Sequence, residues 1–205
     1  MQVATRRLWD QQNRHDGDRH RLFTAVARAI EAQRVLYPGS FVDVAPAFVW
    51  PEVIFNDQDR RAARFFNDVD GVAELIADHD GSAAVSFLPG DYADALQVEP
   101  ESVDLLISLY AGLVSEHATD ALRLGGWLLV NPSHGDAALA SIDRRYELWG
   151  VVESRKGDYR VRTDGLDGYL IPKKPIDITP QLLRDQRRGI GYTKSPFAYL
   201  FQRVR

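Results

Sequence analysis

Residues 121–130 read Ala121-Leu122-Arg123-Leu124-Gly125-Gly126-Trp127-Leu128-Leu129-Val130. The run from Trp127 to Val130 is short and wholly apolar, which predicts a strand buried on both faces. The preceding segment 114–124 predicts a helix, and Gly125-Gly126 predicts its stop, because a chain leaving a helix commonly takes a positive φ that glycine adopts at no steric cost. Upstream, Ser102-Val103-Asp104-Leu105-Leu106-Ile107-Ser108-Leu109-Tyr110 is the clearest buried strand in the sequence. Two buried strands joined through a helix are the repeating unit of a parallel sheet.

The same alternation extends in both directions. Leu22, Ala25, Val26, Ala29 and Ile30 fall at helical spacing and predict a helix over 19–32. Arg34-Val35-Leu36-Tyr37 predicts a strand ended by Pro38-Gly39-Ser40, and Val53-Ile54-Phe55 predicts another, ended by the acidic turn Asn56-Asp57-Gln58-Asp59. Helices over 60–66 and 72–77 and a strand over 82–88 follow, and beyond 130 a helix over 137–145 leads to strands over 146–152, 159–162 and 168–171. The alternation stops there, so an antiparallel edge strand is expected near the C-terminus. The fold class is therefore α/β, a mostly parallel sheet with helices on both faces. Residues 1–18, with the loop His15-Asp16-Gly17-Asp18, form a polar lead expected to fray. Residues 19–171 make the domain, and 172–205 a basic C-terminal extension packed on it.

Composition narrows the function classes. The 205 residues are 45% hydrophobic and 26% charged with a net charge of -4, as in ordinary soluble domains. No apolar run approaches the roughly 18–20 residues of a membrane span, and the N-terminus lacks an apolar signal core, so a cytoplasmic protein is expected. The absence of cysteine rules out disulfides, cysteine-ligated metal and thiol catalysis. The charge is uneven: residues 155–205 carry twelve Lys/Arg and five Asp/Glu, leaving thirteen and twenty-four in 1–154. The basic end reads first as a docking surface on the acidic body or a sister subunit, and a nucleic-acid surface is the weaker reading at a pI of 5.7.

Taken in order, these pieces resemble the class I S-adenosylmethionine-dependent methyltransferases, whose Rossmann-like sheet usually has seven strands. The likeness spans 19–171, and its most specific element is the Leu122-Arg123-Leu124-Gly125-Gly126 turn before a strand. The resemblance implies S-adenosylmethionine as cofactor and assigns binding roles by position. Asp57, at the end of the second strand, would accept from the ribose hydroxyls, with Asp59 as the fallback; either also reads as a helix cap. Asp91, after the third strand, would accept from the adenine amine, with the Tyr92 N–H meeting a ring nitrogen, although Pro-Gly-Asp is also a common turn. The glycine-rich first motif is degenerate: only Gly39 survives, Tyr37 stands in place of the acid, and Phe41 and Asp43 replace the later glycines. Either Tyr37, Ser40 and Asp43 rebuild the pocket around the cofactor's amino-acid end, or the site has decayed.

Methyl transfer needs mainly in-line positioning, with a base only where the acceptor loses a proton. Tyr110 and His134 follow the fourth and fifth strands, beyond the carboxyl ends where sites on parallel sheets lie, and are the catalytic candidates. Imidazole ordinarily titrates near neutral pH and suits a base, although a loop histidine is more often solvated. The exit Ser108-Leu109-Tyr110-Ala111-Gly112 lacks the Asn/Asp-Pro-Pro-aromatic signature of enzymes that methylate planar amino groups. His79 between Asp78 and Asp80 does not make a metal site, since contiguous side chains do not face one ion; His15, His20 and His117 are equally weak, and no metal is expected. The reading is a methyltransferase acting on a small molecule, without membrane contact, with a homodimer permitted. The alternative is a catalytically inactive methyltransferase-like protein acting as a binding module through its basic C-terminal part.

Overall fold

The structure, a computed structural model, describes residues 1–13, 18–94 and 96–205. Five strands, β1 (Arg34–Pro38), β2 (Glu52–Asp57), β3 (Ala84–Pro89), β4 (Val103–Ser108) and β5 (Leu122–Val130), run parallel. Three more, β6 (Tyr146–Arg155), β7 (Asp158–Arg162) and β8 (Ala198–Arg203), complete an eight-stranded sheet in the order β3-β2-β1-β4-β5-β8-β6-β7. β8 is antiparallel to both β5 and β6, and β7 is the antiparallel edge. The sheet thus has eight strands where seven are expected. Tyr199, Leu200 and Phe201, which read from sequence as an anchored tail, are the middle of β8 and are all buried.

The central strands β1, β2 and β4 are largely apolar because both of their faces are covered. On one face Val35, Tyr37, Val53, Phe55, Leu105, Ile107 and Leu200 pack with α1 (Val3–Gln12), α2 (Asp18–Ala27), α3 (Arg60–Phe66) and α4 (Val69–Ala77). On the other, Leu36, Ile54, Leu106, Leu128, Val130 and Phe201 pack with α5 (Val114–Ala118), α6 (Asp136–Ile142) and α7 (Pro180–Gln186). Successive residues of each strand alternate between the two cores, as a pleated strand requires.

Several boundaries differ from the sequence reading for identifiable reasons. The helix expected over 19–32 ends at Ala27, because the chain turns so that the Gln33 and Arg34 N–H groups both donate to Asp104 Oδ2 at 2.8 Å. The polar lead contains α1, seated by the buried Trp9 against Phe48 and His79. His15, Asp16 and Gly17 lie outside the described residues. The strand expected over 168–171 is absent: β7 and β8 occupy both edges of β6, and the segment is held by Tyr199 Oη donating to the Tyr169 carbonyl and by a single bridge between Pro172 and Tyr192.

The largest difference falls on the glycine pair. The helix after β4 stops at Ala118, and the chain is already strand at Leu122. The Glu101 and Ser102 N–H groups donate to the Asp120 and Ala121 carbonyls, drawing this stretch beside β4. Pairing then jumps from Val103 opposite Leu122 to Leu105 opposite Trp127. Gly125 and Gly126 therefore serve a bulge inside β5 and not a helix cap. Gly125 has φ +75°, and a Cβ on Gly126 would lie 2.9 Å from the Arg123 carbonyl oxygen and 3.1 Å from that of Asp104.

One buried carboxylate joins the second helical layer to the sheet. Asp136, at the start of α6, accepts from Ser108 Oγ at the end of β4, from Ser115 Oγ of α5, each at 2.5 Å, and from the Ser115 N–H. Burial pushes its carboxyl up to about 6 against the opposing hydrogen bonds from Ser108 and Ser115. The folded state therefore holds the proton more tightly than the unfolded chain, so this group's stabilisation is complete at about pH 4 and is lost as the pH rises through 6.

Two outcomes follow. Gly125→Ala should cost about 1–2 kcal/mol in a denaturant titration, the penalty of a left-handed backbone, and Gly126→Ala should cost more because its neighbours are backbone atoms; near-neutral values for both would disprove the bulge. Between pH 4 and pH 7 wild type should lose roughly 2 kcal/mol relative to Asp136→Asn, measured by urea unfolding. A pH-independent difference would contradict the buried acid.

Candidate functional site

The carboxyl ends of β1 to β5 open on one rim, where five loops meet. The loop after β1 is bent tightly: Gly39 has φ +64° and Phe41 φ +48°. It is fastened to the β2 exit, since Phe41 N–H donates to Asp57 Oδ2 at 2.7 Å and Ser40 N–H to the Asn56 carbonyl at 3.2 Å. The other Asp57 oxygen accepts from the Asp59 N–H at 2.7 Å. A carboxylate has about four lone-pair sites, so Asp57 retains acceptor capacity at the rim. Asp59 is differently employed. It caps α3 through the Arg61 N–H and pairs with the Arg61 guanidinium at 2.6 Å, which holds its carboxyl below the ordinary range.

The β3 exit is pinned to β2 by Asn56, whose Nδ2 donates to the Leu88 and Gly90 carbonyls at 2.9 and 3.0 Å. Its Oδ1 is buried without a partner. Asp91 Oδ1 accepts from the Ala93 N–H at 3.0 Å, which makes the turn that Pro-Gly-Asp suggests. Tyr92 Oη donates to the Ala111 carbonyl at 2.7 Å and so links the β3 and β4 exits. Burial, aided by the negative charge of Asp136, pushes the Tyr92 hydroxyl up to about 12, so it stays a donor near neutrality.

Tyr37 and Asp43 lie together but deep. Tyr37 Oη donates to Asp43 Oδ2 at 3.3 Å, and the same carboxylate meets Arg19 Nε of α2 at 3.4 Å. Burial pushes the Asp43 carboxyl up, with Arg19 opposing it. The guanidinium also lies 5.4 Å from the centre of the Tyr110 ring, and Arg19 Nη1 is buried with no hydrogen-bond partner. Tyr110 itself is 55% exposed, with φ +61°. Arg19 was not legible as a site residue, because it sits on the helix before β1 with no motif around it.

A cleft of about 530 Å³ occupies the rim. Asp91, Tyr92 and His134 line it, together with Leu113, Arg184 and Arg187, whereas Tyr37, Gly39, Ser40, Asp43, Asp57 and Tyr110 do not. His134 is exposed, has φ +58° and holds Ser133 Oγ at Nδ1, 2.6 Å away. The division coincides with one contact: a Cβ on Gly39 would overlap the Cβ of Ala111, so the β1 and β4 loops touch at the rim. The site therefore has an open part around Asp91, Tyr92 and His134 and a closed part around Tyr37, Asp43 and Arg19. His79 plays no part in either; it stacks on Phe48 at 4.1 Å, and its Nδ1 bonds to the Leu75 carbonyl.

No family model matches the sequence, and no curated protein is similar to it. Solved structures do match. A S-adenosylmethionine-dependent methyltransferase from Thermotoga maritima is 13% identical and is matched over 100% of both chains with a TM-score of 0.50. Phosphoethanolamine N-methyltransferase 1 from Haemonchus contortus, solved with phosphoethanolamine and S-adenosylhomocysteine, is 13% identical with a TM-score of 0.51. That match covers 94% of this chain and 43% of the longer one, and the chain likewise spans 54% of a matched Bacillus protein. At these identities the likeness concerns architecture, and in architecture the chain has the Rossmann-like fold of the class I S-adenosylmethionine-dependent methyltransferases.

Proposed function

We propose that the protein binds S-adenosylmethionine on the rim and transfers its methyl group to a small molecule. The observation that carries this reading is the placement of two carboxylates with spare acceptor capacity on one rim of this fold, Asp57 at the β2 end and Asp91 after β3, of which Asp91 lines the cleft. The donor set suits the group. Asp57 offers acceptors to a ribose diol, while Asp91 and the Tyr92 N–H present an acceptor and a donor to an adenine edge. At the amino-acid end, Arg19 Nη1 is a buried N–H without a partner, an arrangement that costs about 1–3 kcal/mol unless a ligand relieves it. A carboxylate would do so, and Asp43 is at hand for an ammonium, with Tyr37, Gly39 and Ser40 shaping the loop beside them.

The bound cofactor would supply a methyl group already activated on sulfur, so the chain's own work is positioning. Asp57 and Asp91 fix the nucleoside, and the Arg19 and Asp43 pair orients the other end. His134, exposed in the cleft, can take a proton from the acceptor, and Tyr110 stands at the β4 exit to orient it. One observation favours a second reading. The close approach of Gly39 to Ala111 brings the β1 and β4 loops together between the two parts of the site, as expected of a fold that has lost its cofactor and works as a binding module through its basic C-terminal part.

Calorimetric titration separates the readings. Folded protein should bind S-adenosylhomocysteine, and Asp57→Ala should weaken that binding by about tenfold or more through loss of the diol acceptor. Asp59→Ala should leave affinity nearly unchanged while costing about 1 kcal/mol of stability as a lost helix cap. Absence of binding at millimolar ligand would sink the cofactor reading and leave the binding module.

A further inference from the structure

One wall of the cleft is built by the C-terminal segment, and its charges are unevenly matched. Arg184 of α7 is occupied by Glu116 of α5, with which it forms a close ion pair. Arg187, one residue beyond α7, also lines the cleft but meets no carboxylate among the described residues. Its backbone is fixed nonetheless. It has φ +46°, its N–H donates to the Leu183 carbonyl at 2.9 Å, and Leu183 is fully buried. The following loop is pressed on the β5 exit: a Cβ on Gly189 would overlap the Pro132 carbonyl, and one on Gly135 would lie 3.1 Å from the Arg188 carbonyl oxygen. A fixed stem therefore presents an uncommitted guanidinium to a concave space whose lining includes the apolar Ala111 and Leu113 and, among charged groups, Asp91 and the paired Glu116.

That combination has a chemical complement. A guanidinium fork matches the two oxygens of a carboxylate or phosphate, and a cleft of this volume suits a small organic molecule. His117 and His134 line the same space and add no negative charge, and of its two acids Glu116 is already paired. We propose that this cleft binds a small molecule through an oxyanion group held by Arg187, with its apolar body along Ala111 and Leu113. The inference rests on the methyltransferase reading in taking that molecule to be the methyl acceptor. Its orientation follows: the oxyanion lies at the α7 end, and the group to be methylated lies away from Arg187, toward the β1 and β4 exits.

The test uses the full chain and three probes, phenyl phosphate, benzoate and the uncharged benzyl alcohol, followed by NMR titration without cofactor. At least one anion should bind saturably, and Arg187→Gln should weaken it about tenfold, while Arg188→Gln, next in sequence but outside the cleft, should have little effect. Benzyl alcohol should respond to neither change, and added salt should weaken only the anions. Tighter binding of phenyl phosphate identifies a phosphorylated acceptor, and tighter binding of benzoate a carboxylic one. Equal losses in the two variants would reduce the effect to general surface charge and overturn the proposal, as would the absence of saturable anion binding. Because Arg187 is exposed and unpaired, the variant should keep the wild-type unfolding midpoint, which guards against a folding artefact. A parallel titration with S-adenosylhomocysteine keeps the hypotheses distinct: cofactor binding without Arg187-dependent anion binding removes this proposal alone, and the converse removes the cofactor reading together with the ligand's role as methyl acceptor while leaving the anion site.

Discussion

Both long edges of β8 are hydrogen bonded, to β5 on one side and to β6 on the other, and nothing else in the sheet joins the five parallel strands to the β6–β7 ribbon. The strand is buried along nearly its whole length, and it supplies both cores, with Leu200 on one face and Tyr199 and Phe201 on the other. Arg203 at its end reaches into the turn before β5 and donates to the Leu122 carbonyl. The last elements of the chain are thus a structural keystone, and α7, suspended between β7 and β8, is held at both ends by strands of one sheet. That is why a surface segment rich in arginine can form a stable wall to the cleft.

What was legible in the sequence was whatever depended on local pattern. Buried runs such as Leu105-Leu106-Ile107 need both faces covered, which identifies a parallel sheet before any coordinate is known. Helix α3 keeps its expected bounds because Asp59 is a local cap. What was not legible depended on partners distant in the chain. The Gly125-Gly126 pair has the same appearance in a helix stop and in a bulge, and only pairing with Val103 and Leu105 decides between them. The role of β8 was hidden because its two neighbours lie some 50–70 residues upstream.

The site follows the same division. The positions of Asp57 and Asp91 at strand exits were readable because a strand end and its turn are local features. The structure adds that each already serves the backbone, Asp57 through Phe41 and Asp59 and Asp91 through Ala93. A ligand at this rim would share these carboxylates and would not claim them outright. Asp43, by contrast, reads in sequence as a replacement for a motif glycine and is buried beside Arg19, a pairing that spans two elements and leaves no local trace. Preorganisation is therefore greatest where the loops are tied to one another, at the β2 and β3 exits.

The contact between Gly39 and Ala111 has a consequence for how such a chain can change over time. Positions 39 and 111 share one small volume, and neither has room to grow unless the other gives way. Glycine at 39 is at its lower limit, so the only freedom lies at 111, where losing a single methyl group would separate the two loops. The two positions are therefore expected to vary as a pair among descendants of this sequence rather than each on its own.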